Sequence, residues 1–265
     1  MTALTDALVR AAKEQRAALI GYLPVGYPSI DASIEAMKAM VDGGVDVVEV
    51  GVPYSDPGMD GPVIQRAVDP AVRAGVGLTD ALRAVEAVAA VAPAVVMTYW
   101  NPVERYGVEG FAIDLAAAGG SGAITPDLIP DEAGSWIAAA RGGDLDTVFL
   151  VAPSSTDARL AATVDDCRGF VYAASTMGVT GVRGAVSDAA QTLVARVRGV
   201  RPEATVCVGL GVSSADQAGE VAAFADGVIV GSAFVRCLLD ADEPAAGARA
   251  AGALAADLAA GVRRR

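Results

Sequence analysis

A carboxylate inside an apolar run is something chemistry needs and packing does not. Glu49 is such a residue, interrupting Val47-Val48-Glu49-Val50 in this 265-residue chain. A charged side chain is almost never buried in a strand without a partner or a function. By strand alternation Glu49 shares a face with Val47 and Gly51. On an inward face it would be desolvated, would hold its proton more tightly, and would suit proton transfer near neutrality. A buried salt bridge is the competing reading. The loop that follows, GVPYSDPGMDGPVIQ (51–65), carries Asp56 and Asp60. Loop aspartates also serve as turn residues and helix caps, and Asp60-Gly61-Pro62 reads equally as an N-cap ahead of a proline. Two carboxylates from one strand–loop unit would nonetheless make an acid/base pair.

Three glycine turns add a second kind of chemistry. Met177-Gly178-Val179-Thr180-Gly181, Gly209-Leu210-Gly211 and Gly231-Ser232 each follow a late apolar run. Backbone N–H groups at such turns, with a helix N-terminus, bind phosphate without needing a basic side chain. Glycine is also ordinary at tight turns, so it is the order of the three that carries the reading. Asp127 reads as a residue that structures its loop.

The missing residues narrow the mechanism. The chain has no histidine, which removes imidazole acid/base work and the commonest metal ligand. Lys13 and Lys38 both lie in exposed helical patterns, so a buried imine-forming lysine is not expected. Cys167, Cys207 and Cys237 lack the paired spacing of a zinc site, and Cys207, between two valines, reads as a small buried hydrophobe. With a net charge of −12 and no basic patch, the chain should be repelled by nucleic acid and by anionic membranes. The longest uncharged run, Ala87 to Val103, holds Pro93 and Pro102 and is too short to span a bilayer. The first residues, MTALTDALVRAAKEQ, lack the pattern of a signal peptide, and a cytoplasmic location is expected.

These groups need a scaffold, and the apolar runs provide one. Candidate strands fall at 18–23, 46–52, 94–99, 122–125, 146–151, 169–173, 204–208 and 226–230. Between them lie helical patterns at 30–42, 78–91, 107–118, 131–141, 156–166, 187–198 and 213–223, with a last one at 243–262. The strands are continuous apolar runs, as parallel strands covered on both faces are. Eight βα repeats predict an α/β fold, a single-domain (β/α)8 TIM barrel over 1–265 with an extra N-terminal helix. An open doubly wound sheet is the alternative, but Pro24-Val25-Gly26-Tyr27-Pro28 after the first strand is not a dinucleotide turn. In such a barrel the chemistry sits at the C-terminal ends of the strands, where Glu49 and the glycine turns fall.

At these residues the sequence resembles the tryptophan synthase alpha chain family. The most specific segment is EVGVPYSDPGMDGPVIQ (49–65). GYLPVGYPS (21–29), MTYWNP (97–102), TPDLIPDE (125–132), FLVAPSST (149–156), GFVYAASTMGVTG (169–181), VGLGVSS (208–214) and DGVIVGSA (226–233) follow in family order. The resemblance implies retro-aldol cleavage of indole-3-glycerol phosphate to indole and glyceraldehyde 3-phosphate. It makes Glu49 the general acid/base and Asp60 the group that holds the indole N–H. It places Tyr172 in the pocket, Gly181, Gly211, Gly231 and Ser232 at the phosphate, and Thr180 on a closing loop. It assigns the indole slot to Tyr22, Ile64, Met97 and Leu210. It implies a beta-chain partner in an α2β2 complex, facing Pro53, Asp56 and Asn101. Pyridoxal phosphate is then expected in that partner, with no cofactor or metal in this chain. Thr176-Met177, Ile129 and Met59 depart from the family pattern around the loops. A stand-alone indole-releasing lyase, or a weakly catalytic barrel that activates a partner, are the alternative readings.

Overall fold

Each predicted apolar run forms a parallel strand. The computed structural model describes residues 1–174, 183–209 and 211–263. Its strands are β1 (Ala18–Pro24), β2 (Val47–Gly51), β3 (Ala94–Met97), β4 (Gly122–Ile124), β5 (Asp146–Val148), β6 (Leu150–Val151), β7 (Val171–Ala174), β8 (Val206–Gly209) and β9 (Gly227–Val230). They form one sheet in the order β5-β4-β3-β2-β1-β9-β8-β7-β6. The expected fifth strand, 146–151, is divided at Phe149: β5 pairs with β4, and β6 pairs with β7. The two edges of the sheet are therefore one stretch of chain, and the sheet closes into an eight-run barrel. The Phe149 carbonyl accepts the Tyr172 N–H at 3.1 Å, so the division marks where the strand passes from one neighbour to the other.

The barrel interior is filled by Ala18, Ile20, Val47, Val95, Ile124, Val148, Phe170, Cys207 and Ile229, joined by Leu4, Ala7, Leu8 and Ala11 of helix Ala3–Lys13. That helix plugs the end where the strands begin. Its cap residue Thr2 accepts the Thr5 N–H at 3.2 Å and donates its hydroxyl to Asp146, the first residue of β5. With that end closed, the mouth at the strand C-termini is left for a ligand.

Ion pairs hold the closed end. The Arg16 guanidinium meets both oxygens of Asp46 at 2.6 and 2.7 Å, and Asp46 also accepts the Leu19 N–H at 2.9 Å. Asp226 repeats the device between β8 and β9, taking Arg198 at 3.0 Å and the Val206 N–H at 3.0 Å. Both aspartates lie just before a strand and bond to the neighbouring strand's backbone, which fixes register as well as charge.

Helices cover the outer faces and complete the larger core cluster, in which Trp136, Phe111, Phe149 and Phe234 are fully buried. Helix Ile30–Asp42 forms as predicted, ends on Gly43, and is followed by Gly44 at φ 110°, where a Cβ would also sit 2.8 Å from Ala259. Helices Pro62–Arg73, Trp100–Tyr106 and Ser232–Leu239 stand in stretches to which the sequence patterns assign no helix, although Asp60-Gly61-Pro62 read as a possible cap for the first. Among the described residues, no helix is long and apolar enough to cross a membrane.

Candidate active site

Glu49 sits in β2 on the same inward face as Val47, at the layer above the apolar barrel interior. It is 1% exposed, and its Oε1 has no hydrogen-bond partner. No cation pairs with it among the described residues, so the salt-bridge reading does not hold. Desolvation alone pushes its pKa from 4.5 to about 8. At neutral pH it is a protonated acid with an unused oxygen, and proteins rarely keep one without a use.

Two phenols flank it. Tyr22 of β1 lies opposite Glu49 in register, and Tyr172 of β7 packs against the interior cluster. Burial raises both phenols well above 10.0, and the charge of Glu49 adds to each. Both therefore stay neutral hydrogen-bond donors. Their hydroxyls are seated over glycine: a Cβ at Gly51 would fall 2.7 Å from the Tyr22 hydroxyl, and one at Gly209 would fall 2.7 Å from that of Tyr172. Those two glycines, at the tops of β2 and β8, are the room in which the phenols lie.

Asp60 reaches the same place from the loop after β2. It does not cap the following helix: the N-cap of Pro62–Arg73 is Gly61, with no side-chain cap bond. Instead the Tyr99 hydroxyl donates to Asp60 Oδ1 at 3.5 Å and accepts the Met59 N–H at 2.8 Å. Burial raises the Asp60 pKa, and the bond from Tyr99 opposes that rise. After burial itself, the charges of Asp60 and Glu49 both act to raise the Tyr22 phenol. Glu49, Asp60, Tyr22 and Tyr172 are thus brought together at one barrel mouth. Tyr99 is the residue sequence reasoning missed. It lay inside the apolar run 94–99, and only the adjoining aromatic pair Tyr99-Trp100 at the end of that run could have singled it out.

The other expected residues fall as follows. Met97, at the end of β3, packs against the interior cluster below the mouth. Ile64 is half-buried in the first turn of its helix, against the core cluster that includes Tyr22. Gly231 is the N-cap of helix Ser232–Leu239 and offers no side chain to its first-turn N–H groups. Gly211 has φ 67°, a left-handed backbone that favours glycine. Thr180, Gly181 and Leu210 lie outside the described residues. Asp56 and Asn101 are exposed, whereas Pro53 is buried and lines a cavity of about 420 Å³ beside Tyr54 and Asn101. Asp127 structures its loop as expected, accepting the Trp100 N–H at 2.9 and 3.1 Å.

Known proteins share this fold. The family profile described as tryptophan synthase alpha chain matches residues 8–263. The tryptophan synthase alpha chain of Acidothermus cellulolyticus is 61% identical over 100% of this chain and 98% of its own length. That of Mycobacterium tuberculosis is 63% identical over 94% of this chain and 90% of its own. Among solved structures, M. tuberculosis tryptophan synthase in an open form with BRD0059 bound superposes with a TM-score of 0.91 at 56% identity over 99% of both chains. The alpha subunit from Legionella pneumophila keeps a TM-score of 0.88 at 28% identity, covering 99% of this chain and 98% of that one. The family profile spans nearly the whole chain and the relatives match it end to end, so this chain belongs to the tryptophan synthase alpha chain family.

Proposed function

We propose that this chain cleaves indole-3-glycerol phosphate to indole and glyceraldehyde 3-phosphate, as the alpha subunit of an α2β2 complex in the cytoplasm. The observation that carries the reading is Glu49: buried, unpaired, and protonated at neutral pH. It gives its proton to C3 of the indole ring, which leaves positive charge on the ring nitrogen. Asp60 holds that N–H and stabilises the charge. Glu49, now a carboxylate, takes the proton of the glycerol hydroxyl on the carbon bonded to C3. The bond to C3 breaks, its electrons restore the aromatic ring, and the aldehyde is formed. One proton leaves Glu49 and one returns, so the step balances without a cofactor in this chain. Pyridoxal phosphate is expected in the beta partner, which Asp56 and Asn101 would face.

Tyr22, Met97 and Ile64, with Leu210, form the proposed slot for the indole, and Tyr172 lines the pocket beside Glu49. Gly211, Gly231 and Ser232, with Gly181, hold the phosphate through backbone N–H groups and the dipole of helix Ser232–Leu239. Thr180 would close over them. Backbone donors of this kind would let a chain of net charge −12 take an anionic substrate. Ser232→Asp would set a carboxylate against the phosphate, and KM is expected to rise about tenfold or more, since like charges a few ångströms apart cost at least that at a protein surface. An unchanged KM would move the phosphate elsewhere.

The direct test is indole release by the purified chain, alone and with a tryptophan synthase beta chain. Slow release that the beta chain accelerates supports the proposal. Fast release without it favours the stand-alone lyase, and no indole in either condition rejects both.

A further inference from the structure

The Tyr22 phenol bridges the two strands beside its own. Ala18 and Ile20 fill the barrel interior from β1, and by alternation Tyr22 is the next inward residue above them. β1 stands between β9 and β2 in the sheet. Just past the end of β9, a Cβ on Gly231 would fall 3.2 Å from Tyr22 Cδ1. At the top of β2, a Cβ on Gly51 would fall 2.7 Å from the Tyr22 hydroxyl. The ring therefore runs from the N-cap of helix Ser232–Leu239 to the inward position above Glu49, which is two residues, or about 6.6 Å, further along the same strand. Tyr22 is 8% exposed, and its hydroxyl makes no hydrogen bond among the described residues. The hydroxyls of Tyr54, Tyr99 and Tyr106 are all bonded. A largely buried hydroxyl that finds no partner in its own chain is suited to a ligand.

We infer that the Tyr22 hydroxyl binds the middle hydroxyl of the substrate's glycerol chain, selecting a polyol phosphate over a plain alkyl one and setting the chain onto Glu49. The inference rests on the function proposed above. In that reading the phosphate lies at Gly231 and Ser232, and the carbon bonded to indole C3 lies at Glu49. The three-carbon chain has to bridge these points, and the Tyr22 ring lies along the same line. The hydroxyl nearest the indole gives its proton to Glu49, and the oxygen at the far end carries the phosphate. The middle hydroxyl falls between them, beside a phenol seated one inward position above the acid. A neutral phenol both donates and accepts, so it pairs with a hydroxyl in either sense. Burial and the charges of Asp60 and Glu49 keep that phenol neutral. The hydroxyl of Tyr172 is seated over Gly209 of β8, three places from β2 in the sheet. It is fixed to a different strand from the one that carries Glu49, which leaves the position above the acid to Tyr22.

The test compares two substrates, with a beta chain present. One is indole-3-glycerol phosphate, and the other is its analogue lacking only the middle hydroxyl, which still cleaves to indole and an aldehyde. For the wild type, kcat/KM is expected to be about tenfold lower on the analogue, the loss when one side of a shielded hydrogen bond is left without its partner. Tyr22→Phe keeps the ring between the two glycines. It should lose about tenfold in kcat/KM on the natural substrate and should match the wild type on the analogue. Its melting temperature should not fall, because the hydroxyl bonds nothing in the free chain. A merely structural role would lower the melting temperature and depress both substrates alike. Full kcat/KM of Tyr22→Phe on the natural substrate, an equal loss on both substrates, or an analogue that the wild type cleaves as well as the natural substrate overturns the inference while the lyase reading stands. No indole from the wild type on the natural substrate rejects the lyase reading and this inference with it.

Discussion

Glu49→Gln is expected to lower indole release by about 10²-fold or more, the usual worth of a positioned proton donor. The amide keeps the size of the side chain and cannot transfer a proton, so KM should change little. The pH dependence follows from the same burial. With its pKa pushed to about 8, Glu49 is in its acid form through neutrality, and activity should fall as pH rises past that value. Asp60 must be ionised, and burial raises its pKa, so the acid limb should lie at or above the ordinary carboxylate range. A loss well short of 10²-fold would remove Glu49 from the role of acid.

The substitution has a second consequence, with the opposite sign. Folded Glu49 binds its proton more tightly than the unfolded chain does. Between 4.5 and about 8 the native state is protonated there and the unfolded state is not. Stability from this group is therefore lost as pH rises, at about 1.4 kcal/mol per unit across that window. Gln has no proton to lose, so the variant should lack that slope and unfold at higher denaturant than the wild type above pH 8. A site that becomes inactive and more stable in one step is keeping a buried charge for chemistry. Urea melts at two pH values check this. Equal slopes for the two proteins would mean that water reaches Glu49 and relieves its desolvation.

The residues show why some of this was legible in the sequence and some not. The strands could be read because parallel strands packed on both faces leave continuous apolar runs, and Val47-Val48-Glu49-Val50 made the catalytic candidate visible as the exception. The division at Phe149 could not be read: Val148, Phe149 and Leu150 keep a regular alternation, and only the change of hydrogen-bond neighbour separates β5 from β6. Helix Pro62–Arg73 was obscured by Pro70 within it, which reads locally as a break, although its Asp-Gly-Pro entry carried a helix-start signal. Tyr99 was hidden for a different reason. Its ring belongs to an apolar run, and its meaning lies in a hydroxyl that meets Asp60, 39 positions earlier. The seats at Gly51 and Gly209 are equally non-local, since each glycine is explained by a tyrosine on a neighbouring strand.

The end of the barrel away from the chemistry should show the reverse behaviour when Arg16 is replaced. Its side chain is 7% exposed and that of Asp46 is 9% exposed, so Arg16→Ala leaves an aspartate buried without its cation. Breaking such a pair from one side costs about 3–5 kcal/mol, a large share of a domain's stability. The Leu19 N–H still donates to Asp46, so β1 and β2 keep part of their register. That remaining bond makes a sharper test of the double variant Arg16→Leu with Asp46→Leu. Removing both charges should recover most of the loss, because the pair also bore a desolvation cost. Recovery should stop short of complete, since the Leu19 N–H loses its acceptor, and an orphaned buried donor costs about 1–3 kcal/mol. Throughout, indole release per folded molecule should match the wild type, because the plug helix and the apolar interior separate Asp46 from Glu49. If Arg16→Ala instead lowered kcat in fully folded protein, the two ends of the barrel would be coupled, and the division between a stabilising end and a reacting end would fail.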